Sequence, residues 1–454
     1  MTAETSETLP PVSMRSIGRL AAMFFCLGTG LLTRPAHAQR TGEEWMSAHL
    51  RDASLLRAAP RGAISLLRAR QLRDHVDPLA LLERVHAFAS DVTVPPARRA
   101  LALHIEAEVR RDLGQSSEAE AITRGLGYMT RWAVVGPFDN EGRAGFGQTL
   151  APENDPVARI DTADAFDGKE RPVHWRWFPP VSTTGYISLD AVVRPSVNAC
   201  AFAASNVVAP RPSVVTLWLG ATGAISARLN GTRVFSDDAV RRAWPDRAGV
   251  TVRLRQGANR LLLKVCTDDR GAGFYARFTR PDGTPATEIT TAEDLPAVAA
   301  DPPPRAGTPA LPPTLGVMND LRRASGENAP AQAVEDYARY LALTGSDDPA
   351  APVAADMAER AARAAPTAAR WLLLADLTTD RNRRLEALRR AYAIAPGDPH
   401  VLAAVGHERR VGVYAEECVP YLEEAIRRDE GFLLPQIEHA LFLALAVGPM
   451  ILGH

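Results

Sequence analysis

At 454 residues, with 46% hydrophobic and 23% charged residues, the chain has the length of about three domains and enough apolar content to bury their cores. A formal net charge of -1 excludes a general nucleic-acid or anionic-membrane binder, because such a protein needs a basic excess to displace counterions.

Residues 1–38 read as a targeting segment. From Met14 the chain runs MRSIGRLAAMFFCLGTGLLTRPAHAQR. Arg15 and Arg19 make a positive start, Leu20 to Leu32 an apolar core too short to span a bilayer, and Ala36-His37-Ala38 places small residues before a cleavage site. Met1 to Ser13 is polar and acidic, so Met14 is the expected true start. Cys26 lacks the preceding small residues of a lipoprotein box, and no lipid anchor is expected. The expectation is an exported chain, periplasmic or secreted after cleavage near Ala38, with no transmembrane anchor. Cys200, Cys266 and Cys418 remain after cleavage, an odd number that allows at most one internal bridge. Their plain reading is small buried apolar residues. A Cys200–Cys266 bridge is the alternative, since sequence does not set the Cα separation a disulfide requires.

Residues 39–127 are patterned as a helical array. Leu79 to Leu82 with Val85 and Phe88 form one apolar face, and Ala100, Leu101, Leu103, Ile105, Val109 and Leu113 another. Pro95-Pro96 fits a helix start and Gly114 a left-handed stop. Ser117 with Glu120 has the spacing of a capping box, which predicts a further helix.

The pattern changes at Arg131–Phe146, RWAVVGPFDNEGRAGF, and residues 128–290 read as an antiparallel sandwich. Trp132 to Val135, His174 to Phe178, Val214 to Leu219, Ile225 to Leu229 and Thr232 to Phe235 are strand candidates. Asn230-Gly231 is a two-residue hairpin turn. Val250, Val252 and Leu254, then Leu261, Leu263 and Val265, alternate with their neighbours on either side of the Gly257-Ala258-Asn259 turn, and Phe274 to Phe278 continues the pattern. Residues 291–315, rich in Pro and Ala, predict an extended, semi-rigid linker.

Residues 316–454 are helical and repeat. Ala361-Ala362-Arg363-Ala364-Ala365-Pro366 recurs thirty residues on as Ala391 to Pro396, and Ala425 to Glu430 follows after a further 34. A second apolar helix follows each. Helix pairs at this period are expected to stack as a tetratricopeptide-like solenoid, with a plain bundle as the alternative. Leu441 to Leu452 is apolar and lacks the polar face of a capping helix, so a truncated chain is expected.

Catalytic signatures are absent from the sequence. There is no Gly-x-Ser-x-Gly elbow, no phosphate loop, no His-Glu-x-x-His and no paired Cys-x-x-Cys, and no enzyme activity or cofactor is expected. The candidate ligand contacts are Asp237, Asp238, Arg241, Trp244 and Asp246. Loop carboxylates of a sandwich can bind Ca²⁺, and an exposed Trp beside Asp and Arg can stack on a sugar ring. A solvated loop with internal ion pairs is the competing reading. Asp139 and Asn140 are expected to serve turn chemistry.

Two stretches carry a family resemblance. RWAVVGPFDNEGRAGF, followed by Ala151-Pro152-Glu153 and HWRW, resembles a segment of exported bacterial multidomain proteins with tetratricopeptide repeats, whose longer members continue into a transglutaminase-like domain. ARLNGTRVF and VTVRLRQGANRLLLKV resemble the galactose-binding-like jelly roll. The resemblance implies an N-terminal helical array, a jelly-roll sandwich and a tetratricopeptide-like solenoid in one multidomain α + β chain. The transglutaminase-like domain has no counterpart here, so its catalytic residues have no positions to map onto. Ala221-Thr222-Gly223 stands where Asp-Asp-Gly often precedes the hairpin strand. The leading expectation is therefore a non-catalytic binding or scaffold protein. Its repeats would contact protein or peptide, and its sandwich a glycan or protein. The alternatives are the substrate-positioning part of a truncated transglutaminase-like cysteine peptidase, and a structural spacer.

Overall fold

The computed structural model describes residues 46–56, 59–179, 184–268, 271–302, 311, 316–347, 353–412, 415–429 and 434–441. The targeting segment expected over 1–38, with Cys26, and the apolar run beyond residue 441 lie outside the described residues. N-terminal helices, a central antiparallel sandwich-like region and C-terminal helices make a mixed α + β molecule. Among the described residues no helix is long and apolar enough to cross a membrane.

A helix over 46–55 is followed by α1 (Arg61–Gln71), α2 (Pro78–Ser90), α3 (Pro96–Asp112) and α4 (Ser116–Gly125). Asp77 caps α2 by accepting from the Leu79 N–H at 2.9 Å, with Pro78 in the first turn, where its missing donor costs nothing. Leu66, Leu81, Val85, Phe88, Ile105 and Val109 interlock in the core of this unit. The capping box expected at Ser117 does not form: α4 starts one residue earlier without a side-chain cap, and Glu120 pairs instead with Arg124 one turn on.

The strands are β1 (Ala133–Asp139), β2 (Ala165–Asp167), β3 (Pro172–His174), β4 (Arg176–Trp177), β5 (Tyr186–Ser188), β6 (Ala199–Ala209), β7 (Ser213–Thr222), β8 (Ala224–Leu229), β9 (Thr232–Asp237), β10 (Ala248–Leu254), β11 (Gly257–Thr267), β12 (Gly273–Thr279) and β13 (Thr290–Thr291). One sheet runs β4-β1-β6-β11-β8-β9 with β13 added beside β6. The second runs β10-β7-β12-β5, and β2-β3 form a small ribbon. Asn230 and Gly231 turn β8 into β9 at φ 47° and 88°, the left-handed pair a two-residue hairpin demands. Trp132, Leu217, Ile225, Leu261, Leu263, Val265 and Phe274 fill the space between the two larger sheets.

The alternate residues of β11 do not face water. Leu262 and Cys266 join Val135, Phe138, Trp175, Phe202 and Leu295 in a second core on the outer side of the larger sheet. The covering layer comes from residues 140–178 and from 293–301. The described first part of the 291–315 stretch is thus extended but docked on the sandwich. The Ala292 N–H donates to Asn206, the Ile160 N–H to the Leu295 carbonyl, and the Asp301 N–H to the Asn230 carbonyl. Within this layer Cys200 and Cys266, directly opposite in the β6–β11 register, form a disulfide with an S–S length of 2.02 Å. Both are buried, as the plain reading had it, and of the two readings left open for their chemistry the bridge is the one present. Antiparallel pairing put their Cα atoms 4.0 Å apart, which sequence could not supply. Cys418 is a buried free cysteine, as the plain reading had it.

The C-terminal helices are α5 (Val317–Ala324), α6 (Ala331–Thr344), α7 (Ala354–Ala364), α8 (Ala368–Leu377), α9 (Arg381–Ile394), α10 (Pro399–Arg410) and α11 (Val419–Arg428), with a further helix over 434–441. Each labelled helix packs on the next in chain order, and α8 also meets α10. The sequence repeat is a structural repeat. Ala361, Ala391 and Ala425 are fully buried, where only a small side chain lets neighbouring helices approach. The residues four further on end α7, α9 and α11 in one conformation: φ/ψ are −146°/90° at Ala365, −141°/72° at Ala395 and −145°/93° at Asp429. Thr367 and Asp398 then cap α8 and α10 by accepting from backbone N–H groups of the first turn.

Candidate functional site

The candidate loop follows β9. Asp237 accepts from the Ala239 N–H at 3.2 Å and from Arg241 Nη1 at 3.1 Å. Asp238 lies exposed beside it. The loop then turns inward. Trp244 is only 6% exposed, so the expected exposed stacking residue is corrected to a buried one. One side of its ring lies under the Arg70 guanidinium, 5.1 Å from the ring centroid, and the His104 ring meets it edge-on at 5.9 Å. Both partners come from the N-terminal helices. Tyr337, Tyr340 and Leu341 of α6 belong to the same apolar cluster as Trp244. A Cβ on Gly220 would lie 1.7 Å from the Trp244 carbonyl oxygen, so only glycine lets the loop descend onto β7.

Asp246 takes left-handed backbone at φ 55° and aims its carboxylate at Arg277 of β12. Arg277 Nε donates to Asp246 Oδ1 at 2.7 Å, its Nη2 donates to Oδ2, and its Nη1 donates to the Leu126 carbonyl at 2.9 Å. The Asp246 carboxylate raises the Arg277 pKa against the opposing effect of burial. Arg247 is also buried and donates to the carbonyls of Ala221 and Arg242 at 3.0 and 2.7 Å. Burial brings its pKa down to about 10.

The expected site residues therefore sit together at the junction of all three units, and the loop carboxylates Asp237 and Asp246 are engaged by arginines. Sequence reasoning missed the groups that complete the junction: Arg70, His104, Glu108, Tyr128, Tyr275 and Arg277. Arg70 donates to both oxygens of Glu108, at 2.5 and 2.8 Å, and Arg73 adds a third bond at 3.3 Å. These arginines hold the Glu108 carboxyl below its ordinary range, outweighing burial. His104 Nε2 lies 3.6 Å from Glu108, and burial lowers its pKa to about 4. Burial likewise pushes the Tyr128, Tyr275 and Tyr340 hydroxyls up. A histidine set in the apolar face of α3 was the one signal that could have drawn attention here.

Between His104, Tyr128, Trp218, Asp246, Arg277 and Tyr340 the packing leaves about 30 Å³ for the centres of water-sized molecules. That holds a couple of waters and no sugar or peptide side chain. Among the described residues no three His, Cys, Asp or Glu side chains converge as a metal-ligand set.

The stretch that opens the sandwich is structural in its contacts. Asn140 Nδ2 donates to the Thr267 carbonyl at 2.9 Å. A Cβ on Gly145 would lie 2.1 Å from the Asp139 carbonyl oxygen and 3.0 Å from Cys200 Sγ, so this turn closes directly over the disulfide. The chain's two lysines tie the same segment down. Lys169 Nζ donates to Glu141 at 2.6 Å and to the Asn198 carbonyl at 2.8 Å. Lys264 Nζ donates to Glu153 at 2.8 Å and to the Gln148 carbonyl at 2.6 Å. The stretches around Asn230 and Asn259 are explained in the same way. Asn230 and Asn259 hydrogen-bond each other at 3.0 Å. Arg260, almost fully buried, donates to Asn206 and to the carbonyls of Ala158, Leu295 and Pro296, locking the hairpin turn to the covering layer.

Comparison of the chain with protein-family models, with curated proteins and with solved structures returned no match, so its functional reading is carried by this geometry.

Proposed function

We propose that this chain is an exported, non-catalytic scaffold in which a jelly-roll-like sandwich anchors a tetratricopeptide-like solenoid, and that the solenoid contacts protein or peptide. The repeat geometry carries this reading. Three helices end in one conformation at Ala365, Ala395 and Asp429, and side-chain-capped helices begin within three or four residues of the first two. Such stacking displays equivalent positions along one surface. Ala369 and His400, each two residues after a cap, are both exposed, as are Asp376 and His407 one heptad later. This ridge sets small Ala369 beside polar Asp376, His400 and His407, the last within 3.0 Å of Glu438. Its charges do not form the single-sign field that nucleic acid requires.

The test is selection of a displayed peptide library on the intact chain, with a counter-screen on the variant Ala369→Arg with His400→Glu. Enrichment of related peptides whose binding falls at least tenfold in the variant supports the reading. Enriched peptides indifferent to the variant, or none enriched at all, would reject it. For the sandwich, Trp244 offers no open face to a glycan. Among the described aromatics of the sandwich, Trp177 on edge strand β4 is exposed, at 39%, with Arg131 stacked at 4.6 Å. A glycan array with Trp177→Ala as control separates glycan contact from a purely protein-binding role.

A further inference from the structure

We propose that His104 is an acid-operated latch, which holds the N-terminal helices on the Trp244 loop while its ring is neutral and releases them when the ring is protonated. The ring is 5% exposed and reaches from the N-terminal helices into the sandwich, edge-on to Trp244 of the loop and edge-on to Tyr275 of β12, each at 5.9 Å. A neutral imidazole suits this setting; an imidazolium does not. From its own helix the ring faces Glu108 and Arg111, from α1 it faces Arg70, and from the loop Asp246. Both carboxylates are already taken. Glu108 is bonded by Arg70 and Arg73, and Asp246 by Arg277. The other titratable groups lining the adjoining cavity are Tyr128 and Tyr340, whose hydroxyls stay neutral. A further positive charge would therefore enter a junction that already holds Arg70, Arg111 and Arg277, has room for only a couple of waters, and offers only carboxylates shared with arginines, Glu108 at 3.6 Å from Nε2 and Asp246. A couple of waters in the adjoining cavity cannot hydrate an imidazolium fully, and fuller hydration means parting α3 from Trp244.

The sign follows from linkage. Buried, the ring binds its proton only near pH 4, against an ordinary 6.5 once released, so the open state binds more protons across that window. The closed junction is at full strength above 6.5 and weakens as pH falls toward 4. The open-to-closed ratio then rises roughly 30-fold by about pH 5, and roughly 300-fold in all.

Amide hydrogen exchange of the full chain, corrected for the intrinsic pH dependence of exchange, reads this directly. Opening of segments 96–112 and 239–247 should rise together by roughly 30-fold between about pH 7.5 and pH 5, while 257–267 inside the sandwich stays protected. His104→Gln should make both segments indifferent to pH. Arg70→Gln leaves the histidine in place but frees Glu108 to accept the imidazolium, and should cut the rise below tenfold. This second variant decides the matter if the first does not fold. Constant exchange in the wild type, an unchanged rise in either variant, or parallel loss of protection at 257–267 would each overturn the proposal. The last outcome would mark ordinary acid unfolding.

Discussion

Arg277 carries its charge almost out of reach of water, and among the described residues its one carboxylate partner is Asp246, held in place by a left-handed backbone turn. Neutralising that partner leaves a buried guanidinium with no opposing charge among the described residues, held by one amide oxygen, the Leu126 carbonyl and the Tyr128 ring, 5.7 Å away. Asp246→Asn should therefore destabilise the chain by about 3–5 kcal/mol in urea unfolding followed by far-ultraviolet circular dichroism. Loss of less than about 1 kcal/mol would show that water replaces the carboxylate. At this scale the sequence located the loop but misjudged its orientation. Asp237, Arg241 and Asp246 advertise a polar surface, and Trp244 among them reads as exposed. Trp244 is buried by Arg70 and His104, more than a hundred residues upstream, and by Tyr337 and Tyr340, about a hundred downstream, without any pattern linking them to the loop.

Among the elements, β6 is the least legible and the most central. Its ACAFAASNVVA is buried on both faces between β1 and β11. Alanine has little strand preference, and a strand covered on both sides shows no alternation. The β8–β9 hairpin with its Asn-Gly turn, and β11 with its alternating Leu and Val, were legible because local turn chemistry and period set them. The disulfide joins these two strands across 66 residues of chain. Cys200→Ala with Cys266→Ala should lower stability by about 2–4 kcal/mol in chemical unfolding while leaving the sandwich folded. A reductant should act only after unfolding, since both sulfurs are buried. Unchanged stability of the double variant would mean that the two cores alone set the strand pairing. The helical repeats needed no such long-range information. Alanines at equivalent steps, and Thr or Asp at the next cap, are local signals that recur.

For the whole molecule, Trp244 is the point where three units share one core. Ile64 and Leu67 of α1, Leu321 of α5 and Tyr340 and Leu341 of α6 pack in one cluster with it. Helices α1 and α6 also touch directly. The chain should consequently unfold near neutral pH with strong coupling between its helical and sandwich parts. Trp244→Ala should cost about 3–5 kcal/mol and resolve a single calorimetric transition into separate ones. A single transition in both proteins would place the coupling elsewhere, at the α1–α6 contact.

Sequence by itself determined the kind and order of the elements: helices, then a sandwich with an Asn-Gly hairpin, then helix pairs with a repeating step. Periodicity, caps and turns act over a few residues, and those signals are complete in the local chain. Only the tertiary structure decided that the outer face of the larger sheet is covered, that Cys200 meets Cys266, and that the candidate loop faces inward. Each of these depends on which distant surfaces meet. Burial of a tryptophan, a histidine or an ion pair is a property of that meeting, not of the residues on either side of it in the chain.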